Sequence, residues 1–168
     1  LNSVSVQPYV GGDTNMPAGN TDWQDVVYKT GFVINNDLSV SGGTDKSNAM
    51  LNLGYLDNTG MLKYTNFERY TARLNANFKL FNDKVRFGIN SQFTQSNERL
   101  AANDVGNSPV PALAIPLAPT RPLYTNSGGY GGPLGSGYSD RNNPLLMQYL
   151  NRWDNTRRIS LYGNVFTE

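Results

Sequence analysis

The feature that most constrains the fold is a pair of long segments, between residues 70 and 94, in which apolar and polar residues alternate. In the first segment Tyr70 and Leu74 occupy even positions, whereas Arg73 and Lys79 occupy odd ones. Successive side chains of a β-strand point to opposite faces of a sheet, so this pattern predicts strands with one apolar and one polar face. Each segment holds about ten alternating residues, which is enough for a tilted strand to cross the core of a bilayer.

The same alternation extends to other parts of the chain and predicts a meander of antiparallel strands. Four strands are predicted within residues 30–100, and a fifth begins at 156 and runs on to the last residue, 168, as if truncated. Polar turn residues separate the first four strands at 44–47, at 57–66 and at 82–84. The middle connection opens with Asp57-Asn58-Thr59-Gly60, which is typical of a turn.

Two remaining segments have the composition of loops. Residues 1–29 are rich in Gly, Asn, Pro and Ser, with a short helical turn predicted around Trp23, which we interpret as a packing anchor. Residues 101–155 contain most of the prolines and a glycine-rich patch at 128–137, which we predict to be a mobile loop. Short helices are predicted at 112–117 and at 144–152, because proline suits the first turn of the second.

The connections alternate between short and long along the chain, and this predicts an up-and-down topology. Short turns then lie at one end of the sheet and long loops at the other, as in outer-membrane barrels. Five strands are too few to close such a barrel, so the predicted fold is an open, partial transmembrane β-barrel with one long external loop.

Composition excludes several classes of function. The 168 residues contain no cysteine and no histidine, which removes thiolate chemistry and any Ser-His-Asp or Cys-His arrangement. The carboxylates are scattered without a spacing that selects a catalytic pair, so we expect no enzyme activity and no cofactor. A net charge of +1 gives no reason to expect nucleic acid as a partner. The hypotheses that remain are a wall segment of an outer-membrane transporter and, as the alternative, a soluble all-β binding module whose apolar face is covered by a partner layer.

Five segments, read together, make the chain resemble the SusC/RagA family of TonB-dependent outer-membrane transporters. The resemblance implies a barrel of about 22 strands with a plug inside it, located in the cell outer membrane. It also implies three partners besides outer-membrane lipid: a SusD-like surface lipoprotein, the energising protein TonB acting on an N-terminal region that is absent here, and an oligosaccharide or peptide substrate. The segments are NTDWQDVVY at 20–28, NDLSVSGG at 36–43, LGYLDNTG at 53–60, FERYTARL at 67–74 and NNPLL at 142–146.

Two groups of residues are candidates for contacts with a substrate or a partner. A polar, partly basic set is expected to face the barrel lumen, where it either contacts anions and sugars or pairs with carboxylates of the plug and wall. Aromatic residues of the long loop either stack on sugar rings or pack the loop. The lumen set is Arg69, Arg73, Asn75, Asn77, Lys79, Arg86 and Asn90, and the loop set is Tyr124, Tyr130 and Tyr138.

Aromatic residues near the strand ends are expected to mark the two membrane interfaces, where amphipathic rings are favoured. The group predicted at the outer rim is Tyr55, Tyr64 and Tyr70, and the group at the periplasmic rim is Phe78, Phe81 and Phe87.

Overall fold

The computed structural model describes residues 7–101, 109–132 and 142–168. The chain divides into two compact units. The sheet unit comprises Gly31–Gly60, Asn66–Arg99 and Asn155–Glu168, and the loop unit comprises Leu1–Thr30, Met61–Thr65 and Leu100–Asp154.

The sheet unit is built from five strands that pair in chain order, each antiparallel to the next. Two tight turns lie at one end: Asp45 and Lys46 join the first two strands, and Phe81–Lys84 join the third and fourth. The second turn places Phe81, Asn82 and Asp83 at positive φ, the left-handed region that short turns require. The sheet is open, which confirms the predicted fold class. Its strands are β1 Phe32–Thr44, β2 Ser47–Thr59, β3 Asn66–Leu80, β4 Val85–Arg99 and β5 Thr156–Thr167.

One strand end differs from the sequence prediction. The stretch from Asp57, predicted as a turn, continues β2 as far as Thr59, where Asp57 pairs with Glu68 and Thr59 with Asn66. The neighbouring strand offers backbone partners along this whole length, and the hydrogen-bonded ladder outweighs the local preference of Asp, Asn and Thr for a turn.

The register of the four strand pairs divides the side chains of the sheet between two faces. The apolar face carries the even-numbered residues of β1 and β3 and the odd-numbered residues of β2, β4 and β5; the polar face carries the others. Large side chains on the apolar face are uncovered: Leu74 is 39% exposed and Leu161 is 75% exposed. Among the described strands only Ala76 contributes a buried hydrophobic residue, so this sheet has no core of its own on that face.

Aromatic pairs lie near both ends of the apolar face. Tyr55 and Tyr70, the tyrosine row, have ring centroids 5.0 Å apart, and Phe78 and Phe87, the phenylalanine row, have centroids 6.4 Å apart. The two rows lie at opposite ends of the sheet, as predicted for these four residues. Of the other predicted rim residues, Phe81 belongs to the turn after β3, whereas Tyr64 belongs to the loop unit.

The loop unit has a small hydrophobic core. Its helices are α1 Trp23–Val27, α2 Val110–Ala114 and α3 Pro144–Leu150, with short 3₁₀ segments at Val10–Gly12 and Asn151–Trp153. Trp23 is 3% exposed, packs in one cluster with Val110, Ala114 and Leu117, and donates its indole N–H to the carbonyl of Ala118 at 3.1 Å. The interpretation of Trp23 as a packing anchor is therefore confirmed.

Asn143 fixes the start of α3. Its Oδ1 accepts from the backbone N–H groups of Leu145 at 3.0 Å and Leu146 at 3.3 Å, which is an N-cap. Its Nδ2 donates to the carbonyls of Leu123 at 3.1 Å and Gly131 at 3.3 Å. The predicted helix from Pro144 is confirmed, and its cap also ties it to the aromatic part of the loop.

Candidate functional site

The structure places all seven of the predicted lumen residues on the polar face of the sheet. On β3 these are the odd-numbered members of the set, and on β4 the even-numbered ones. Lys79 pairs with Arg86 and Asn75 with Asn90 across the two strands, so the set forms a continuous strip rather than a scatter.

Side-chain amides are linked across this face by hydrogen bonds. Asn77 donates to the amide oxygen of Asn48, and Asn90 donates to that of Asn164, both at 3.0 Å. Each of these amides has a donor and an acceptor group, so one cross-strand bond leaves further capacity for a ligand. The surface is therefore suited to hydroxyl-rich or amide-rich molecules, which present both kinds of group.

The basic residues of the strip are only partly paired. Arg86 contacts Glu168 at 3.3 Å, with both side chains more than half exposed, and Arg73 donates to the amide oxygen of Gln92 at 2.9 and 3.3 Å. Among the described residues, no acceptor lies within hydrogen-bond distance of the side chains of Arg69 or Lys79. Exposed ion pairs stabilise a fold by about 0–1 kcal/mol, so these cations remain available to other groups.

A hollow on the polar face was not foreseen from the sequence. A side chain at Gly54 would place its Cβ 2.4 Å from Oγ1 of Thr71 and 2.9 Å from Oδ1 of Asp37. The hollow brings Asp37 together with the predicted Arg69 and Arg73. A glycine inside an otherwise regular strand was the only sequence signal for this close approach.

Aromatic rings of the loop unit form a second candidate site. Tyr124 and Tyr130 face each other across an isolated antiparallel bridge, with ring centroids 5.3 Å apart. Tyr149 contacts Tyr130 at 6.0 Å, and Tyr64 contacts Tyr149 edge-on at 6.0 Å. These four residues are here called the tyrosine cluster. The third predicted loop contact, Tyr138, lies outside the described residues.

Arg152 adds a cation to the tyrosine cluster. Its guanidinium carbon lies 3.5 Å from the ring centroid of Tyr149 and 5.1 Å from that of Trp153, within the range of cation–π attraction. Trp153 is 79% exposed and Tyr124 is 51% exposed, whereas the other rings are half-buried. Most of the cluster therefore packs the loop, and open aromatic faces are offered by its member Tyr124 and by the neighbouring Trp153.

Burial raises the pKa of the Tyr130 phenol above its usual 10.0, and the neighbouring tyrosines raise it further. The nearby Arg152 acts in the opposite direction with a smaller effect. Tyr130 therefore remains a neutral hydrogen-bonding group throughout the physiological pH range.

The glycine-rich patch is only partly packed where the structure describes it. Cβ atoms built on Gly131 and Gly132 would overlap the carbonyl of Pro122 and the guanidinium of Arg121. Gly131 and Gly132 are thus pressed against the preceding turn of the loop, whereas Gly128 and Gly129 are exposed. The remainder of the patch, from residue 133, lies outside the described residues.

None of the helices in the described parts of the chain is long and apolar enough to span a membrane. Those same parts hold no group of three or more Asp or Glu side chains placed to bind a metal ion.

Comparison with known proteins gives relatives that agree with one another. The chain is 37% identical over 116 residues to the TonB-dependent receptor SusC of Bacteroides thetaiotaomicron. The aligned region covers 69% of this chain and 11% of that receptor. It is 27% identical over 152 residues to the TonB-dependent receptor P26 of Formosa agariphila, covering 89% of this chain and 14% of that receptor. The chain therefore spans less than one-sixth of the length of these relatives. No family model matches the chain.

Among solved structures, the fold is similar to the RagAB peptide importer in its closed-closed state, with a TM-score of 0.55 and 22% identity. The match covers 77% of this chain and 15% of that one. From its relatives and its five-stranded sheet, we conclude that the chain belongs to the SusC-like TonB-dependent receptors and contributes a section of their antiparallel barrel wall.

Proposed function

We propose that this chain is part of an outer-membrane transporter that imports a nutrient by TonB-dependent active transport. The observation that carries the proposal is the uncovered apolar face of the sheet. Between the tyrosine row and the phenylalanine row, that face of the described strands bears no charged side chain. A continuous exposed apolar face that extends across all five strands is the lipid-facing band of a membrane barrel, with aromatic residues at both of its limits.

The soluble binding module is less compatible with the same surface. A soluble sheet buries its apolar face against a second layer, and exposures of 39% at Leu74 and 75% at Leu161 leave that face without one. The apolar helical residues of the described chain instead bury one another in the loop unit, around Trp23 and Val110. A lipid bilayer is the remaining environment that accepts such a face without a protein layer.

On this proposal, the polar face lines the barrel lumen, where water, a plug and a passing substrate require polar contacts. Arg69 and Lys79 then meet carboxylates of the plug or anionic groups of a substrate, because neither has an acceptor among the described residues. The linked amides around Asn77 and Asn90 offer uncharged hydrogen bonds to sugars or to peptide backbones.

We further propose that residues 30–100 and 156–168 belong to the wall, that residues 1–29 are a loop, and that residues 101–155 form an external loop. The loop then lies at the outer end of the barrel, within reach of a SusD-like surface lipoprotein and of an incoming oligosaccharide or peptide. Tyr124 and Trp153 are the aromatic surfaces best suited to such contacts, since their rings are the most exposed of the tyrosine cluster and its neighbours. The similarity to a peptide importer supports a peptide substrate, and the exposed aromatic rings, which can stack on sugars, support an oligosaccharide.

The mechanism that follows is one of capture and displacement. The lipoprotein closes over a substrate bound at the outer mouth, and TonB then pulls on the plug so that the substrate passes along the polar face. The residues described here supply hydrogen bonds and charge to that passage and undergo no covalent chemistry.

The test uses the full-length protein in its own cell, with and without TonB. We expect it in the outer-membrane fraction, and we expect loss of the protein or of TonB to abolish growth on the same oligosaccharide or peptide mixture. Complementation with the wild-type gene should restore growth. Recovery of the protein in a soluble fraction, or uptake that persists without TonB, would show that the proposal is wrong.

A further inference from the structure

Packing alone does not explain the burial of Arg121 in the described part of the loop unit. Its side chain is 2% exposed, although the guanidinium carries a full positive charge. Among the described residues, Nε, Nη1 and Nη2 have no hydrogen-bond partner, and each of the three atoms is inaccessible to solvent. Buried charges in folded proteins are paired with an opposite charge, because an unpaired one loses its hydration without compensation.

The surrounding backbone holds Arg121 firmly in this position. The N–H of Gly19 donates to the carbonyl of Thr120 at 2.8 Å, and Oγ1 of Thr21 donates to the carbonyl of Arg121 at 2.8 Å. The backbone N–H of Arg121 itself donates to the carbonyl of Ala118 at 3.1 Å. The main chain is therefore held on both sides, and the burial of the guanidinium follows from a fixed backbone.

Gly132 makes room for the guanidinium, and its neighbour Gly131 makes room for the backbone of Pro122 beside it. Gly132 has a φ of +94°, and a Cβ there would lie 1.8 Å from Nη2 of Arg121, closer than any side chain permits. At Gly131 a Cβ would lie 2.0 Å from the carbonyl oxygen of Pro122. Asn143 holds this segment in place through its bond to the carbonyl of Gly131. The side chain thus occupies a niche that other residues are arranged to provide.

We propose that Arg121 in this glycine niche is the binding site for a carboxylate that the described residues do not supply. A guanidinium presents parallel N–H donors that match the two oxygens of a carboxylate, and this pairing compensates the charge more fully than a single carbonyl would. The carboxylate comes either from another part of the same polypeptide or, after local opening of the niche, from the imported molecule, as the C-terminus of a peptide or the acid group of a uronic acid. The second source rests on the proposed function, and the first does not.

Two substitutions in the full-length protein distinguish the sources. Arg121→Met keeps much of the volume and removes the charge, whereas Arg121→Lys keeps the charge and loses the planar fork. Hydrogen exchange of residues 110–132 is measured without any added ligand. A permanent carboxylate from the polypeptide predicts faster exchange in both variants, and the faster of the two is Arg121→Met, because it leaves the carboxylate unpaired. A site that is empty until a ligand arrives predicts the opposite result: Arg121→Met exchanges no faster than the wild type and more slowly than Arg121→Lys, because it removes an unpaired buried charge.

The ligand source is then tested with trialanine against trialanine amide, and with galacturonate against galactose. In the wild type, the member of either pair that carries a carboxylate should slow exchange at residues 110–132, and its neutral counterpart should not. Arg121→Met should raise the apparent Kd of that carboxylate roughly 10- to 100-fold, the loss expected for hydrogen bonds to a charged group.

One combination overturns the proposal: exchange that is no faster in Arg121→Met than in the wild type, together with no protection by either carboxylate. Neither measurement requires transport. A negative result therefore leaves the import proposal standing, and a failure of TonB-dependent uptake leaves the Arg121 site to be judged by its own data.

Discussion

Replacing Leu74 by arginine tests which face of the wall meets lipid. Leu74 lies on the apolar face of β3, with Leu51 and Ser91 as its cross-strand partners. Ten residue steps separate Tyr70 from Leu80 in this strand. At about 3.4 Å per residue and a tilt of about 45°, they correspond to about 24 Å along the membrane normal, close to the height of the apolar band of a barrel.

The position of Leu74 sets the size of the effect. It lies four steps from Tyr70, or about 10 Å below the outer limit of the band, which is close to the midplane. An arginine there should destabilise the barrel by about 2–4 kcal/mol, a factor of about 30 to 900 in the folding equilibrium. Leu80→Arg, one residue pair beyond the phenylalanine row on the same face, should cost only about 0–1 kcal/mol because the charge reaches the interface. Asn75→Arg, the adjacent residue on the polar face, should change stability by about 0.5 kcal/mol or less.

The assay is denaturant unfolding of the full-length protein in phospholipid vesicles. The folded fraction is measured by the heat-dependent gel mobility that a folded barrel shows. We expect a lower midpoint for Leu74→Arg with an unchanged slope, which indicates a change in stability rather than in the surface exposed on unfolding. Equal penalties at Leu74 and Asn75 would refute the assignment of the faces. A penalty at Leu80 as large as that at Leu74 would refute the position of the band.

The other predictions concern the loop unit. Asn143→Ala removes an N-cap and leaves one buried and one partly buried carbonyl without their donor, so residues 144–150 should lose about 2–4 kcal/mol of protection in native-state hydrogen exchange while barrel stability is unchanged. Intact protection would contradict the assigned role of the cap. The raised pKa of Tyr130 predicts that the unfolded state loses its phenolic proton first, so the stability of the loop unit should fall as the pH rises above about 10, and Tyr130→Phe should remove this dependence. Tyrosinate absorbance and the unfolding midpoint, compared between about pH 9 and pH 11 in the two proteins, provide the measurement, and a wild-type protein as pH-insensitive as the variant would show that the tyrosine is not buried as described.

The sheet was predictable from sequence because its information is local. A period of two fixes which face each side chain takes, and a slip of one residue would exchange the faces completely, so the pairing of β3 with β4 was set by the pattern itself. The strand ends were not predictable in the same way. The stretch from Asp57 to Thr59 has turn residues but continues as a strand, because the partner strand satisfies its backbone.

The loop unit was only partly predictable, because most of its contacts join residues far apart in the sequence. The segment around α1 was expected to form a helical turn with Trp23 as an anchor, but nothing in the sequence indicated that Val110, Ala114 and Leu117 would surround it. The niche of Arg121 had no sequence signal at all. The sequence does not indicate whether an arginine is buried or exposed, and the burial of Arg121 becomes evident only from the close approach of Gly132 in the structure.

The distribution of apolar residues between the two units explains why the apolar face of the wall is covered by lipid rather than by a second layer of protein. In the described chain, the apolar side chains of the helices bury one another, as Val27 and Val110 do in one cluster at 1% and 0% exposure. The large side chains of the sheet remain uncovered; large residues such as Leu74 alternate with small ones such as Ala76, and the described residues offer no complementary surface to them. A protein layer over this face would need a matching set of protrusions and gaps, since interiors are packed to crystal density. Fluid acyl chains need no such match, and for that reason we expect substitutions among apolar residues on this face to be tolerated where a single charge is not.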